Sequence, residues 1–214
     1  MVLKLYSANH PIGGSLLVGV VLSELRVPFE LAQLDLSVPA REHKTASYMA
    51  LQPFGQVPAI VCPPHSKLSR SLTIRAGRRR LRPLRIARDL AAALFEQAAS
   101  VEYSHFQPHA LKIYLHGYLF PKINLPYDLL ELNTAKTALD VTLDVYEATL
   151  GKQAYLCGNE ITLVDLFHVA FGAHLLAAGY DGLGTSQRPN VQRWWTMVSS
   201  RSTLTQYQSG WKEN

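Results

Sequence analysis

The chain has 214 residues, enough for one large domain or two small ones, and with 48% hydrophobic and 17% charged residues it is composed to bury a core. No run reaches the roughly 18 uninterrupted apolar residues of a membrane span, the start lacks the layout of a signal peptide, and two cysteines 95 positions apart make neither a disulfide framework nor a zinc ribbon. A cytoplasmic protein is expected. The net charge of +5 is uneven: between His43 and Arg88 there is no Asp or Glu, and Lys44, Lys67 and eight arginines give that stretch +10 against −5 for the remainder.

Residues 2–6 alternate as a first strand, residues 7–14 (Ser-Ala-Asn-His-Pro-Ile-Gly-Gly) form a turn-rich loop, and Ser15 to Leu25 reads as a helix. Val27-Pro28 breaks that helix, and residues 29–35 alternate as a second strand. This βαβ unit predicts a parallel pair with a right-handed crossover. A short helical stretch at 41–50 precedes Val57-Pro58-Ala59-Ile60-Val61, an apolar strand entered through an X–Pro bond, the one kind of peptide for which cis costs little. From about Leu90 the pattern is helical. Leu132, Ala135, Leu139, Leu143, Tyr146 and Leu150 repeat at helical spacing. Thr162 and Asp165 have capping-box spacing before an expected helix at 166–178, and Arg188-Pro189-Asn190 opens a last helix with Trp194 and Trp195. The layout is a small α/β domain, residues 1–80, followed by an all-helical domain, residues 90–214.

Several stretches, in this order along nearly the whole chain, resemble the glutathione S-transferase family in its fungal phi/theta-type branch. They are residues 1–6, Val27-Pro28-Phe29-Glu30-Leu31, Glu42-His43-Lys44, Gln52-Pro53-Phe54-Gly55-Gln56-Val57-Pro58, residues 94–102, residues 162–168, and Arg188 to Trp195. The resemblance implies a thioredoxin-like N-terminal domain and a helical C-terminal domain, glutathione as co-substrate, an electrophilic small molecule as second substrate, and a homodimer. Glutathione is an extended tripeptide with a carboxylate at each end, and such a ligand is best held by backbone pairing along a strand edge. The resemblance gives that pairing to Val57, ahead of Pro58. It gives the glycyl carboxylate to His43 and Lys44, whose donors make charge-assisted bonds to an anion, and the γ-glutamyl end to Gln56.

Two departures follow. In this branch a serine hydroxyl near the start of the first helix donates to the glutathione sulfur, and a helix N-terminus with a donor favours the thiolate. Here Pro11 or Ile12 falls at that place, and neither has a side-chain donor. The nearest donors are Ser7, Asn9, His10 and Ser15; Ser15 is the catalytic candidate, with the Gly13-Gly14 backbone as an alternative anion nest. At the γ-glutamyl subsite Ser71 matches the family's carboxylate-binding serine, but Arg70 stands where the family has a glutamate, reversing the charge toward the ligand's ammonium.

The stretch Arg75–Arg88 resembles the family poorly. It reads as a solvated basic face, as an anion-binding patch, or as an altered reading frame or splice junction; it lacks interleaved aromatics and any recognised motif, so nucleic acid is not an expected partner. Tyr103, Phe106, Tyr114 and Tyr118 are candidates to line an electrophile site, with plain core as the alternative. His105, His109 and His116 lack a completing carboxylate or cysteine, so no metal is expected. The function expected is conjugation of glutathione to electrophilic apolar molecules, with a non-catalytic ligand-binding protein of the same fold as the rival.

Overall fold

The computed structural model describes residues 2–9, 13–62, 66–69 and 86–204. The chain divides into two units, Met1–Arg82 with Ser202–Asn214, and Pro83–Arg201. The first unit carries the strands and the second is all-helical.

In the first unit the described strands are β1 (Leu3–Ala8), β2 (Phe29–Leu34), β3 (Ala59–Cys62) and β4 (Ser66–Ser69), in one sheet of order β2-β1-β3-β4. β1 and β2 are parallel, from Leu3 opposite Phe29 to Ala8 opposite Leu34. β3 runs antiparallel to β1 with Ala59 opposite Tyr6, and β4 antiparallel to β3 with Ser69 opposite Ala59. The last residues of β1, β2 and β4 and the first of β3 therefore share one end of the sheet. β4 was not expected: four mostly polar residues carry no strand pattern, and pairing with β3 makes them one.

Helix α1 (Gly14–Glu24) buries every residue from Ser15 to Leu22, as its nearly all-round apolar sequence requires. Val18 and Leu22 pack with Leu5 and Ile60, and Leu3, Val27, Phe29 and Leu31 close over them. The helix ends in a Schellman turn with Arg26 at φ 51°: the Arg26 N–H donates to the Ser23 carbonyl (3.0 Å) and the Val27 N–H to the Leu22 carbonyl (2.9 Å). From the far end of the chain, the Thr203 hydroxyl donates to the Glu24 carboxylate. The stretch expected to be helical at 41–50 divides at Thr45. A 3₁₀ turn covers Glu42–Lys44, and α2 covers Ala46–Met49, with the Thr45 hydroxyl accepting the Tyr48 N–H at 3.3 Å.

The second unit contains α3 (Ile86–Val101), α4 (Gln107–Tyr114), α5 (Leu129–Leu150), α6 (Leu163–Phe167), α7 (Val169–Leu175) and α8 (Pro189–Ser199). The helical spacing along α5 is borne out: all six residues named for it are buried, as is Thr142. Two π-helical turns, Glu102–Phe106 and Leu115–Leu119, flank α4. Both have tertiary causes. The Thr142 hydroxyl donates to the His105 carbonyl at 3.1 Å. Gly117 lies so close to another segment that a Cβ there would sit 2.7 Å from the Ala178 carbonyl.

The single helix expected at 166–178 is instead α6 and α7, meeting at His168. The His168 ring Nδ1 donates to the Val164 carbonyl (2.9 Å), the acceptor its own backbone N–H would use in a continuous helix, and that N–H turns to the Asp165 carbonyl (3.4 Å). With Nδ1 protonated, Nε2 accepts from the Tyr146 hydroxyl at 2.9 Å.

Thr162 and Asp165 form the expected capping box. The Asp165 carboxylate, fully buried, accepts the Thr162 N–H (2.8 Å), the Thr162 hydroxyl (3.0 Å), the Leu156 N–H (3.0 Å) and the Trp194 indole N–H (2.9 Å). A plain cap is worth about 0.5–2 kcal/mol, and orphaning two further buried donors adds about 1–3 kcal/mol each. Asp165→Ala is expected to destabilise the fold by about 3 kcal/mol or more by denaturant titration, and a variant with unchanged midpoint would remove this assignment.

Candidate functional site

The shared end of the sheet is where the candidate residues gather. At the carboxyl ends of strands, open α/β sheets present loops and helix starts to ligands. Beyond β1, α1 begins with Gly13 at φ 57° and no side-chain cap, so its first N–H groups have no partner within the helix. Ser15 is its second residue and 2% exposed. Ser15 therefore does not cap the helix; it lies inside its first turn.

Beyond β2, a loop leaves at Asp35 and returns at Glu42. The Asp35 N–H donates to the Glu42 carboxylate (2.8 Å) and the Glu42 N–H to the Asp35 carbonyl (2.9 Å), closing the loop on itself. This returns His43 and Lys44 to the end of β2. The loop holds a second cis peptide, Val38-Pro39, which no local pattern marks. Burial, then the nearby charges of Lys44 and Arg41, lower the His43 pKa, so at neutral pH the imidazole is an N–H donor and Lys44 supplies the positive charge. The His43 Nδ1 is buried without a partner.

Ahead of β3, Val57-Pro58 is cis, as expected. Gly55, at φ 57°, brings this loop against the 42–44 turn: a Cβ there would lie 2.7 Å from the His43 carbonyl and 2.9 Å from the Lys44 side chain. Lys44 Nζ donates to the Phe54 carbonyl at 3.1 Å, leaving two of its three donors. Among the described residues neither the N–H nor the carbonyl of Val57 has a hydrogen-bond partner. The Gln56 side chain is exposed, but its backbone is gripped at both its N–H and its carbonyl. The Tyr48 hydroxyl donates to the Gln56 carbonyl (2.7 Å), and the Gln56 N–H donates to Gln52 Oε1 (3.1 Å). Tyr48 was not singled out from the sequence, and Gln52 only as part of the 52–58 stretch, with no role. Their spacing, with Gln56 four positions further on, is the only local sign of the arrangement.

The structure thus brings His43, Lys44, Gln56, Val57 and Pro58 together, and sets the start of α1 at the same sheet end. Arg70 and Ser71 follow β4 and lie outside the described residues, as do Pro11, Ile12 and the arginine-rich stretch up to Arg85. Of the aromatic candidates, Phe106 and Tyr114 are core residues of the second unit: Phe106 stacks with Tyr146 at 6.4 Å and Tyr114 packs with His174 at 5.1 Å. Tyr103 is half exposed, and the Tyr118 hydroxyl accepts from Lys122 at 2.9 Å. Among the described residues no cluster of three His, Cys, Asp or Glu could hold a metal, and no helix is long and apolar enough to cross a membrane.

Comparison with known proteins identifies the fold as a thioredoxin-like domain followed by a helical glutathione S-transferase C-terminal domain. The family model for the glutathione S-transferase C-terminal domain matches residues 110–202. Glutathione S-transferase F9 of Arabidopsis thaliana is 31% identical, with 100% of this chain and 96% of that protein covered. Glutathione S-transferase hmp2 of Hypomyces subiculosus is 32% identical over 95% of this chain and 96% of its own. Among solved structures, glutathione S-transferase I of maize in complex with an atrazine glutathione conjugate superposes with a TM-score of 0.83, at 25% identity and 96% coverage of both chains. The chain belongs to the glutathione S-transferase family.

Burial, and secondarily the neighbouring Tyr6, push the Tyr48 phenol up to about 12. An unfolded phenol titrates near pH 10, so between about pH 10 and 12 the folded state holds a proton that the unfolded state has lost. Stability should fall as pH rises through that window. Denaturant midpoints measured across it are expected to drop, and to drop less in Tyr48→Phe; equal slopes for the two proteins would contradict the assignment.

Proposed function

We propose that this chain is a glutathione transferase that adds the glutathione sulfur to electrophilic, largely apolar small molecules. The observation that carries the reading is the meeting, at one end of one sheet, of the α1 start, the His43–Lys44 turn and the unpaired peptide groups of Val57, in a chain whose relatives bear the transferase name over almost their full length. The domain at residues 1–80 is the glutathione-binding domain in this reading, and residues 90–214 are the helical partner domain, except that Ser202–Asn214 group with the first unit.

The extended tripeptide pairs through its backbone with Val57, held in place by Pro58. Lys44 and the His43 N–H take the glycyl carboxylate. Gln56 and Ser71 serve the γ-glutamyl end, where the charge of Arg70 opposes the ligand's ammonium. The sulfur lies at the N-terminal end of α1, where unpaired N–H groups and the macrodipole favour an anion and the Ser15 hydroxyl donates to it. A free thiol titrates near 8.5, and the thiolate is the nucleophile. The thiol proton leaves to solvent, the sulfur lone pair forms the new C–S bond, and in a displacement the leaving group departs with its bonding pair.

The protein is a cytoplasmic homodimer in this reading, because an α/β domain of about 80 residues is marginally stable alone. Light scattering should give twice the chain mass, and a single-chain mass at micromolar concentration would count against it. Catalysis is tested with glutathione and an activated aryl chloride. Conjugation is expected, and Ser15→Ala should lower kcat/KM at least about tenfold, or 1.4 kcal/mol. Glutathione binding without conjugation would make the protein the non-catalytic binder instead. A Ser15→Ala enzyme as fast as the parent would give the sulfur to the backbone N–H groups alone.

A further inference from the structure

Tyr48 and Gln52 close on the two peptides that flank the Gln56 Cα. Tyr48 is the third residue of α2, and its carbonyl accepts both the Leu51 N–H (2.8 Å) and the Gln52 N–H (2.9 Å), so the chain is still coiled where Gln52 leaves it. The Gln52 carbonyl then accepts the Gly55 N–H at 2.9 Å. From this short coil both side chains reach forward to residue 56, one to the carbonyl and one to the N–H. Tyr48 is 4% exposed and Gln52 is fully buried. The Tyr48 ring is fixed edge-on against Tyr6 at 5.7 Å. Tyr6 pairs with Ala59 in the sheet, so the grip on Gln56 is referenced to the strands.

Gln52 also carries a mismatch. Its Nε2 is buried with no acceptor, a loss that an apolar side chain of similar length would avoid. What the amide delivers is Oε1 to the Gln56 N–H. Gln52 Oε1 thus fixes the Gly55–Gln56 peptide and the Tyr48 hydroxyl fixes the Gln56–Val57 peptide, whose N–H is that of Val57; the N–H and carbonyl of Val57 have no partner among the described residues.

We propose that Tyr48 and Gln52 are positioning residues for glutathione: by holding the peptides on both sides of Gln56, the second of which carries the Val57 N–H, they preset the direction of the Val57 N–H and carbonyl with which the tripeptide pairs. This rests on the glutathione reading above. Presetting removes part of the ordering cost from the binding step. The pair acts on ligand affinity and not on the chemistry at sulfur.

Three proteins are compared with the parent by calorimetric titration of glutathione and by steady-state conjugation of an aryl chloride: Tyr48→Phe, Gln52→Met and the double variant. Each single change is expected to raise the Kd and KM for glutathione about tenfold, leaving kcat at saturating glutathione and the KM of the aryl chloride within about twofold. The double variant should bind no more than about threefold more weakly than the weaker single, because both act through the backbone of one residue, Gln56. Tyr146→Phe, which removes a buried hydroxyl from the other unit, is the stability control; it should lower the thermal midpoint without moving the glutathione Kd. A parent that binds no glutathione would overturn the functional reading itself. A parent that binds, with either single variant binding equally well, with losses multiplying in the double, or with Tyr146→Phe weakening binding as much, would overturn the positioning role alone.

Discussion

One carboxylate with no exposure to water organises the helical unit. Asp165 accepts from the backbone and hydroxyl of Thr162, from the Leu156 backbone and from the indole of Trp194, so three separated segments converge on two oxygens. A buried carboxylate is tolerable only when its lone pairs are filled, and here they are filled by groups that would themselves be orphans without it. The consequence spreads through rings. Trp194 meets His168 edge-on at 5.0 Å, His168 meets Phe106 at 4.5 Å, and Tyr146 binds the His168 nitrogen. The same histidine divides α6 from α7. A single polar centre thus sets the entry of one helix, the break after it and the seating of another.

In the α/β unit the equivalent constraint is the strand directions. Two parallel strands end, a third begins and a fourth finishes at one place, so the segments between them must all pass there. Closeness then depends on small details. The reciprocal bonds between Asp35 and Glu42 close one loop, and the missing side chain of Gly55 lets the next loop touch it.

What could be read from the sequence was whatever depends on near neighbours in the chain. The buried stripe of α5, the Thr162–Asp165 box and the cis bond at Pro58 are local patterns, and each appears in the structure. The π-helical turns were not legible, because their causes lie far along the chain: a hydroxyl at 142 for one, a backbone carbonyl at 178 beside the other. β4 was hidden for the same reason, its partner being β3. In the site, motif positions such as Val57 and Lys44 could be named, whereas the clamp on Gln56 could not, since nothing in the string marks a tyrosine hydroxyl as aimed at a carbonyl eight residues on.

The contact between Thr203 and Glu24 joins residues 179 positions apart within one unit. A chain made from its N-terminus at about 5–20 residues per second exposes Glu24 on the order of 10–40 s before that partner exists. The helical unit, contiguous in sequence, has all its parts earlier. The order of completion during synthesis is therefore the reverse of the order in the chain: the sheet-bearing unit starts first and finishes last, and its α1 waits for a segment that arrives only after every helix from α3 to α8 has been made.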